Sequence, residues 1–105
     1  MNAQVQCASL DEVRQQIDRI DRQLVALLAE RGAYVCQAAG FKKSAAEVPA
    51  PQRVAQVLAR VDALALASGA DRAVVAATWR AMIDAFIEAE RGMQAVLHPP
   101  SSPAS

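Results

Sequence analysis

Residues 9–31 read SLDEVRQQIDRIDRQLVALLAER, and their pattern is the strongest indication of the fold. Ser9 is followed three residues later by Glu12, which is the capping box that begins many helices. Apolar residues then recur in alternating steps of three and four, the spacing of a helix that packs along one face. The pattern predicts one long helix from Leu10 to about Ala39, with Gly40 as its stop. Its apolar stripe consists of Leu10, Val13, Ile17, Ile20, Leu24, Leu27 and Tyr34.

The rest of the chain predicts two further helices and no strand. Residues 40–51 concentrate glycine, lysine, serine and proline, which indicates a loop. Pro51 suits the first turn of a second helix that ends near Ser68 and Gly69, and Asp71 can cap a third helix. The 53% hydrophobic and 4% aromatic composition favours helix over a β-sandwich. We therefore predict an all-α domain over residues 1–98, followed by a disordered Pro/Ser tail at 99–105.

The length of the first helix predicts a homodimer. About 30 residues span roughly 45 Å at 1.5 Å per residue, whereas a compact chain of 100 residues has a radius of gyration of about 13 Å. In a monomer such a helix projects from the globule with its apolar stripe in water. Pairing of the long helices of two copies solves this. The alternative is a monomeric bundle in which the helix breaks at Gly32 or Gly40 and folds back.

Composition excludes several classes of function. Eleven Lys/Arg balance eleven Asp/Glu, so nothing predicts binding to nucleic acid or to a membrane surface. No apolar run is long enough to span a membrane, and the N-terminus lacks the pattern of a secretory signal, so we expect a cytoplasmic protein. One histidine and two cysteines support neither a metal site nor a disulfide framework. No glycine-rich phosphate loop is present, and no cofactor is predicted.

Three ionisable residues lie where the apolar stripes predict a core. Arg31 fills a gap in the first stripe, Arg14 borders that stripe, and Glu90 lies between Phe86 and Met93 on the third helix. One interpretation is structural: Arg31 and Glu90 form a buried ion pair, or their charged ends reach water. The other is a polar pocket between helices for a small dianion. The further cations near such a pocket are Lys42 and Lys43 in the loop and Arg53 in the second helix.

Several of these residues occur within motifs that resemble a known family. VRQQIDRID at 13–21 and LLAER at 27–31 resemble the opening helix of the all-helical chorismate mutases. Phe41-Lys42 together with PAPQRV at 49–54 resembles the isochorismate pyruvate lyase branch, which serves salicylate and siderophore synthesis. The resemblance covers about residues 7–97. It implies the chorismate mutase type II fold, an intertwined homodimer of three-helix protomers with shared pockets.

The resemblance also implies roles for individual residues. Arg14 from the partner and Arg31 would each bind a substrate carboxylate, and Lys42 would reach the ether oxygen and the pyruvyl side. Glu90 stands where the family usually has a glutamine that donates to the same ether oxygen, and a carboxyl group can donate only when protonated. Gln52, beside Arg53, replaces a glutamate common in the mutases. Pro51 stands where the mutases tend to have a basic residue. Both differences argue against a dedicated mutase, and the PAPQRV motif favours the lyase.

The implied reaction is a pericyclic elimination that converts isochorismate to salicylate and pyruvate without metal or cofactor, with weaker chorismate mutase activity in the same pocket. Such chemistry depends on orientation and electrostatics, which agrees with the lack of any nucleophile–base pair in the sequence. One alternative is a chorismate mutase that forms prephenate. Another is a non-catalytic helical dimerisation module, in which Arg31 and Glu90 determine pairing specificity.

Overall fold

The computed structural model describes residues 6–42 and 50–97 of the chain. They form three helices: α1, Leu10–Phe41; α2, Pro51–Ser68; and α3, Arg72–Leu97. The prediction of an all-α chain with three helices in this order is confirmed. Lys43, most of the predicted loop and the predicted tail at 99–105 lie outside the described residues.

The beginning of α1 follows the capping box. The Glu12 N–H donates to Ser9 Oγ at 3.1 Å, while Glu12 Oε2 accepts from the Ala8 N–H at 2.7 Å. The reciprocal hydrogen bond therefore reaches one residue further upstream than in the usual box. Asp11 and Glu12 also place negative charge at the positive end of the helix dipole.

The end of α1 differs from the prediction. The helix runs without a break through Gly32 and Gly40 to Phe41, and Lys42 then adopts an extended conformation. The only described glycine with positive φ is Gly69, so Gly40 does not adopt the left-handed conformation that ends a helix. A glycine inside a helix costs about 1 kcal/mol relative to alanine, which packing readily overcomes. The prediction that Gly40 stops the helix is wrong by two residues.

A tight connection joins α2 to α3. Gly69 has a φ of 76°, the left-handed conformation that glycine adopts with least strain. Asp71 Oδ1 accepts from the Val74 N–H at 3.1 Å and caps α3 as predicted. Arg72 donates two hydrogen bonds, of 2.9 and 2.8 Å, to the carboxylate of Asp62 on α2. These hydrogen bonds, together with the positive charge of Arg72, lower the pKa of Asp62 below its usual value.

Helix α3 packs against both α2 and α1. The chain is elongated, measuring 68 × 26 × 19 Å, and its radius of gyration of 18.4 Å exceeds the roughly 13 Å of a compact domain of this size. The apolar residues buried among the described ones come from all three helices: Ala39, Val61, Ala65 and Ile83. The core of a single chain is therefore small.

The predicted apolar stripe of α1 is exposed along its whole length in a single chain. Ile17, Leu24 and Leu27 leave between 50% and 59% of their surface open to solvent. An exposed apolar surface of this extent is typical of an interface with another protein.

None of the described helices combines the length and apolar character needed to cross a membrane.

Candidate functional site

A cavity of about 310 Å³ lies where the three helices meet. This volume is at the lower end of the range of small-molecule sites. Each helix contributes side chains at a spacing of three or four residues, which places them on one face. Its walls are largely apolar, and they include Val35, Ala38, Val57, Ile83 and Ile87. Four charged residues complete the lining: Arg31, Lys42, Arg53 and Glu90.

Glu90 is the one charged residue that is buried within the described part of the chain, with 7% of its surface exposed. Its Oε2 accepts a hydrogen bond from Lys42 Nζ, and the two side chains form an ion pair. Lys42 directly follows α1, and its side chain is one quarter exposed. The sequence left open a buried pair between Arg31 and Glu90, but the structure pairs Glu90 with Lys42 instead.

Arg31 is half-buried in the cavity wall. Its guanidinium carbon lies 5.0 Å from the centre of the Phe86 ring, within the range of a cation–π interaction. Phe86 precedes Glu90 by one turn of α3, so the two residues share a helix face. The aromatic ring and the carboxyl group therefore present adjacent surfaces to the same cavity.

Arg53 lines the cavity from the first turn of α2. Its Nη1 donates to Gln56 Oε1 at 2.6 Å, which holds the side chain along the helix. Arg31, Lys42 and Arg53 carry three positive charges against the single carboxylate of Glu90, so the cavity has a formal charge of +2 when all four are ionised. A concave site with this charge and apolar walls favours a small anion.

The sequence of the chain matches the family model for chorismate mutase type II over residues 13–91. This range covers well over half of the chain. The chain belongs to the chorismate mutase type II family. All four charged residues of the cavity lie inside the matched range, as does Arg14.

One curated relative of this chain has a more specific name than the family model. The chain is 48% identical, over 52 residues, to a protein of Pseudomonas aeruginosa named isochorismate pyruvate lyase. The alignment covers 50% of this chain and 52% of the relative, so the chain spans about half the length of the curated relative it matches. The family and the branch suggested by the sequence motifs are both supported by these matches.

Not every predicted site residue lines the cavity of this chorismate mutase domain. Arg14 is exposed on α1, and 17 residues of helix place it about 25 Å along the axis from Arg31. Gln52 is exposed on α2 and lies outside the lining that its neighbour Arg53 joins. Lys43 is outside the described residues. A single chain thus brings together Arg31, Lys42, Arg53 and Glu90.

The apolar pattern of the third helix predicts Phe86 as a core residue and does not distinguish Val35 or Ile87 as site residues. Helix spacing contained the signal, because Phe86 and Ile87 lie four and three residues before Glu90. What the spacing could not show is that this face of α3 lines a cavity as well as packing against a helix.

Within the described residues, no group of three histidine, cysteine, aspartate or glutamate side chains could hold a metal ion.

Proposed function

We propose that this chain is an enzyme that converts isochorismate to salicylate and pyruvate, with chorismate mutase activity as a secondary reaction of the same cavity. One observation carries the proposal. Three cations and one buried carboxyl group converge on a cavity of small-molecule size, within a chain of the chorismate mutase type II family. The half-length match to a relative named isochorismate pyruvate lyase favours the lyase branch.

In the proposed reaction the enolpyruvyl C–O bond breaks while a ring hydrogen moves to the pyruvyl methylene carbon. The electron pair of the broken C–H bond forms the new ring double bond, the pair of the broken C–O bond forms the pyruvate carbonyl, and the enol C=C pair forms the new C–H bond. The step therefore balances without an external acid, oxidant or cofactor. The enzyme must fold the enolpyruvyl arm over the ring and stabilise the ether oxygen as it gains negative charge. The cations of the cavity are suited to both tasks.

Each charged residue has a distinct role in this proposal. Arg31 binds one substrate carboxylate, and Lys42 approaches the ether oxygen and the pyruvyl side. Glu90 donates a hydrogen bond to the same oxygen in its protonated form, since a carboxylate can only accept. Arg53 adds positive charge at the cavity wall, and Gln52 stays a candidate binding residue beside it.

The ion pair between Lys42 and Glu90 gives this site a specific pH dependence. In the ligand-free chain the carboxylate of Glu90 accepts from Lys42. Binding of the ether oxygen between these two groups requires both to donate, so only the form of the enzyme with a protonated Glu90 carboxyl is active. The rate should therefore fall as the pH rises. The Glu90→Gln variant always donates and should lose this pH dependence; an unchanged profile would contradict the role.

We further propose that the enzyme is a homodimer whose cavities are completed by the partner. The exposed stripe of α1 supplies the apolar surface for pairing of the long helices. Arg14 lies too far from the cavity of its own chain to line it, and a second copy could bring the equivalent arginine to the second carboxylate of the substrate. The single domain over 1–98 and the cytoplasmic location stay predictions from the sequence.

Product analysis tests the proposed activity. One preparation is incubated separately with isochorismate and with chorismate, and salicylate, pyruvate and prephenate are quantified. Faster turnover of isochorismate supports the lyase, whereas faster conversion of chorismate favours a mutase, the activity named by the matching family model. Absence of any product above a protein-free control would refute both.

A charge deletion links the activity to the cavity. Removing one partner of a buried charged contact typically costs about 2–5 kcal/mol, so Arg31→Ala should lower kcat/KM by about 30- to 5,000-fold. Arg22→Ala removes an exposed arginine from the same helix and serves as the matched control. A loss below about threefold at Arg31 would mean that this residue does not bind the substrate.

A further inference from the structure

The ring of Phe86, on α3, lies beside the backbone of α1 at Gly32. A Cβ atom added at Gly32 would lie 3.3 Å from Phe86 Cε1 and 3.7 Å from Phe86 Cζ. The shorter distance is tighter than an ordinary van der Waals contact, so the ring of Phe86 packs directly on the backbone of α1. Any side chain at position 32 would push the ring away.

The same ring also contacts Arg31, the residue that precedes Gly32. The Arg31 guanidinium lies over the Phe86 ring at 5.0 Å. Among the described residues, no carboxylate forms an ion pair with Arg31, and the charged partner of Glu90 is Lys42. An aromatic face attracts a guanidinium without using its N–H donors. The contact can therefore orient Arg31 while leaving those donors available to a ligand.

We infer that Phe86, seated on α1 at Gly32, is a positioning residue that holds the Arg31 guanidinium in the cavity. This inference rests on the proposed function for its kinetic consequence, but its structural content stands without a substrate. Gly32 contributes to this arrangement, because an added Cβ atom would lie 3.3 Å from Phe86 Cε1 and displace the ring from its position on α1. Phe86 and Gly32 together determine the position of the Arg31 guanidinium, which binds the substrate in the proposed function.

Gly32→Ala tests the inference while leaving both Phe86 and Arg31 in place. The added methyl group must shift the ring by a few tenths of an ångström. Since a misplacement of 1 Å costs about 100-fold in rate, kcat/KM should fall by about 3- to 10-fold. Alanine favours helix over glycine, so the melting temperature should not fall in parallel. Gly40→Ala is the matched control on the same helix, where an added Cβ meets nothing within 4 Å.

Substitutions of Phe86 separate positioning from packing. Phe86→Leu removes the aromatic face and should lower kcat/KM by about 5- to 30-fold, the equivalent of a partly desolvated cation–π contact. Phe86→Tyr keeps the face and should recover most of that loss. In an Arg31→Ala background, Phe86→Leu should change kcat/KM by less than about twofold, because its effect acts through Arg31. Equal losses in both backgrounds would overturn the inference.

A spectroscopic measurement makes the inference independent of the reaction. An Arg31 Nε–H close to an aromatic face has an upfield-shifted proton resonance in the ligand-free protein. The resonance, assigned by its absence in Arg31→Ala, should lose this shift in Phe86→Leu and keep it in Phe86→Tyr. No upfield shift in the native protein overturns the inference even if the lyase is active. A shift that depends on Phe86 supports it even if isochorismate is not turned over.

Discussion

Loss of the lysine from the Lys42–Glu90 pair should destabilise the fold more than loss of the carboxylate. The side chain of Glu90 is 9% exposed and that of Lys42 is 25% exposed. In Lys42→Met the apolar stem is kept, but a buried carboxylate loses its cation. In Glu90→Gln the ammonium group loses its carboxylate, but it lies nearer to water and can turn outward.

The burial of the two groups sets the size of the effect. Breaking a fully buried ion pair from one side costs about 3–5 kcal/mol. Because Lys42 is partly solvated, we expect about 2–3 kcal/mol for Lys42→Met and about 1 kcal/mol for Glu90→Gln. For a chain of this size 1 kcal/mol corresponds to about 4–8 °C, so Lys42→Met should melt about 8–24 °C below the native protein. The double variant has no buried charge at this site and should recover much of that loss.

The assay is thermal unfolding followed by far-UV circular dichroism, at neutral pH and at one protein concentration. A larger loss for Glu90→Gln than for Lys42→Met would refute the reasoning. So would a Lys42→Met protein as stable as the native one, since the pair would then be solvated.

Four further predictions concern assembly, the α2–α3 connection, the loop cation and the ligand. Leu24→Asp should convert a dimer into monomers in sedimentation velocity, because it places a charge in the exposed stripe of α1. Val25→Asp, one residue away and outside the stripe, should leave the dimer intact. A native protein that is already monomeric and stable would refute the proposed pairing. Asp62→Asn should lower the melting temperature at neutral pH but not in strong acid. Because the pKa of Asp62 is lower in the folded protein, its carboxylate stabilises the fold at any pH above the pKa of the unfolded chain. That stabilisation is lost as the pH falls through the pKa of the folded protein. Lys42→Ala should reduce kcat more than it raises KM, and the reverse would make Lys42 a binding residue only. Salicylate and pyruvate together should raise the melting temperature of the native protein but not of Arg31→Ala; no rise in the native protein would favour the non-catalytic dimerisation module.

Helix positions were largely predictable because their signals are local. Ser9 and Asp71 accept hydrogen bonds from the first turns that they cap, and Gly69 has the positive φ that ends α2. Gly40 shows where such signals fail. A glycine ends a helix only if its backbone leaves the helical conformation, and α1 continues to Phe41.

The candidate site was predictable in its residues but not in its contacts. The 3/4 spacing identified Arg31 and Glu90 as ionisable groups on apolar stripes, since that pattern is a property of one helix at a time. It could not decide which cation meets Glu90, because both Arg31 and Lys42 were candidates. Nor could it show that Phe86 contacts Arg31 as well as filling space.

The sequence was sufficient to predict three helices, an apolar stripe too long for one chain to cover, and an excess of cations over acids near one region. Capping, helical periodicity and charge act between neighbours in the chain, so they can be read along it. The three-dimensional fold was needed to show that Glu90 pairs with Lys42, 48 residues away, and that Arg31 lies on Phe86. Those contacts depend on how closely α3 approaches α1, and at Gly32 the ring of Phe86 lies only 3.3 Å from the position that a Cβ atom would take.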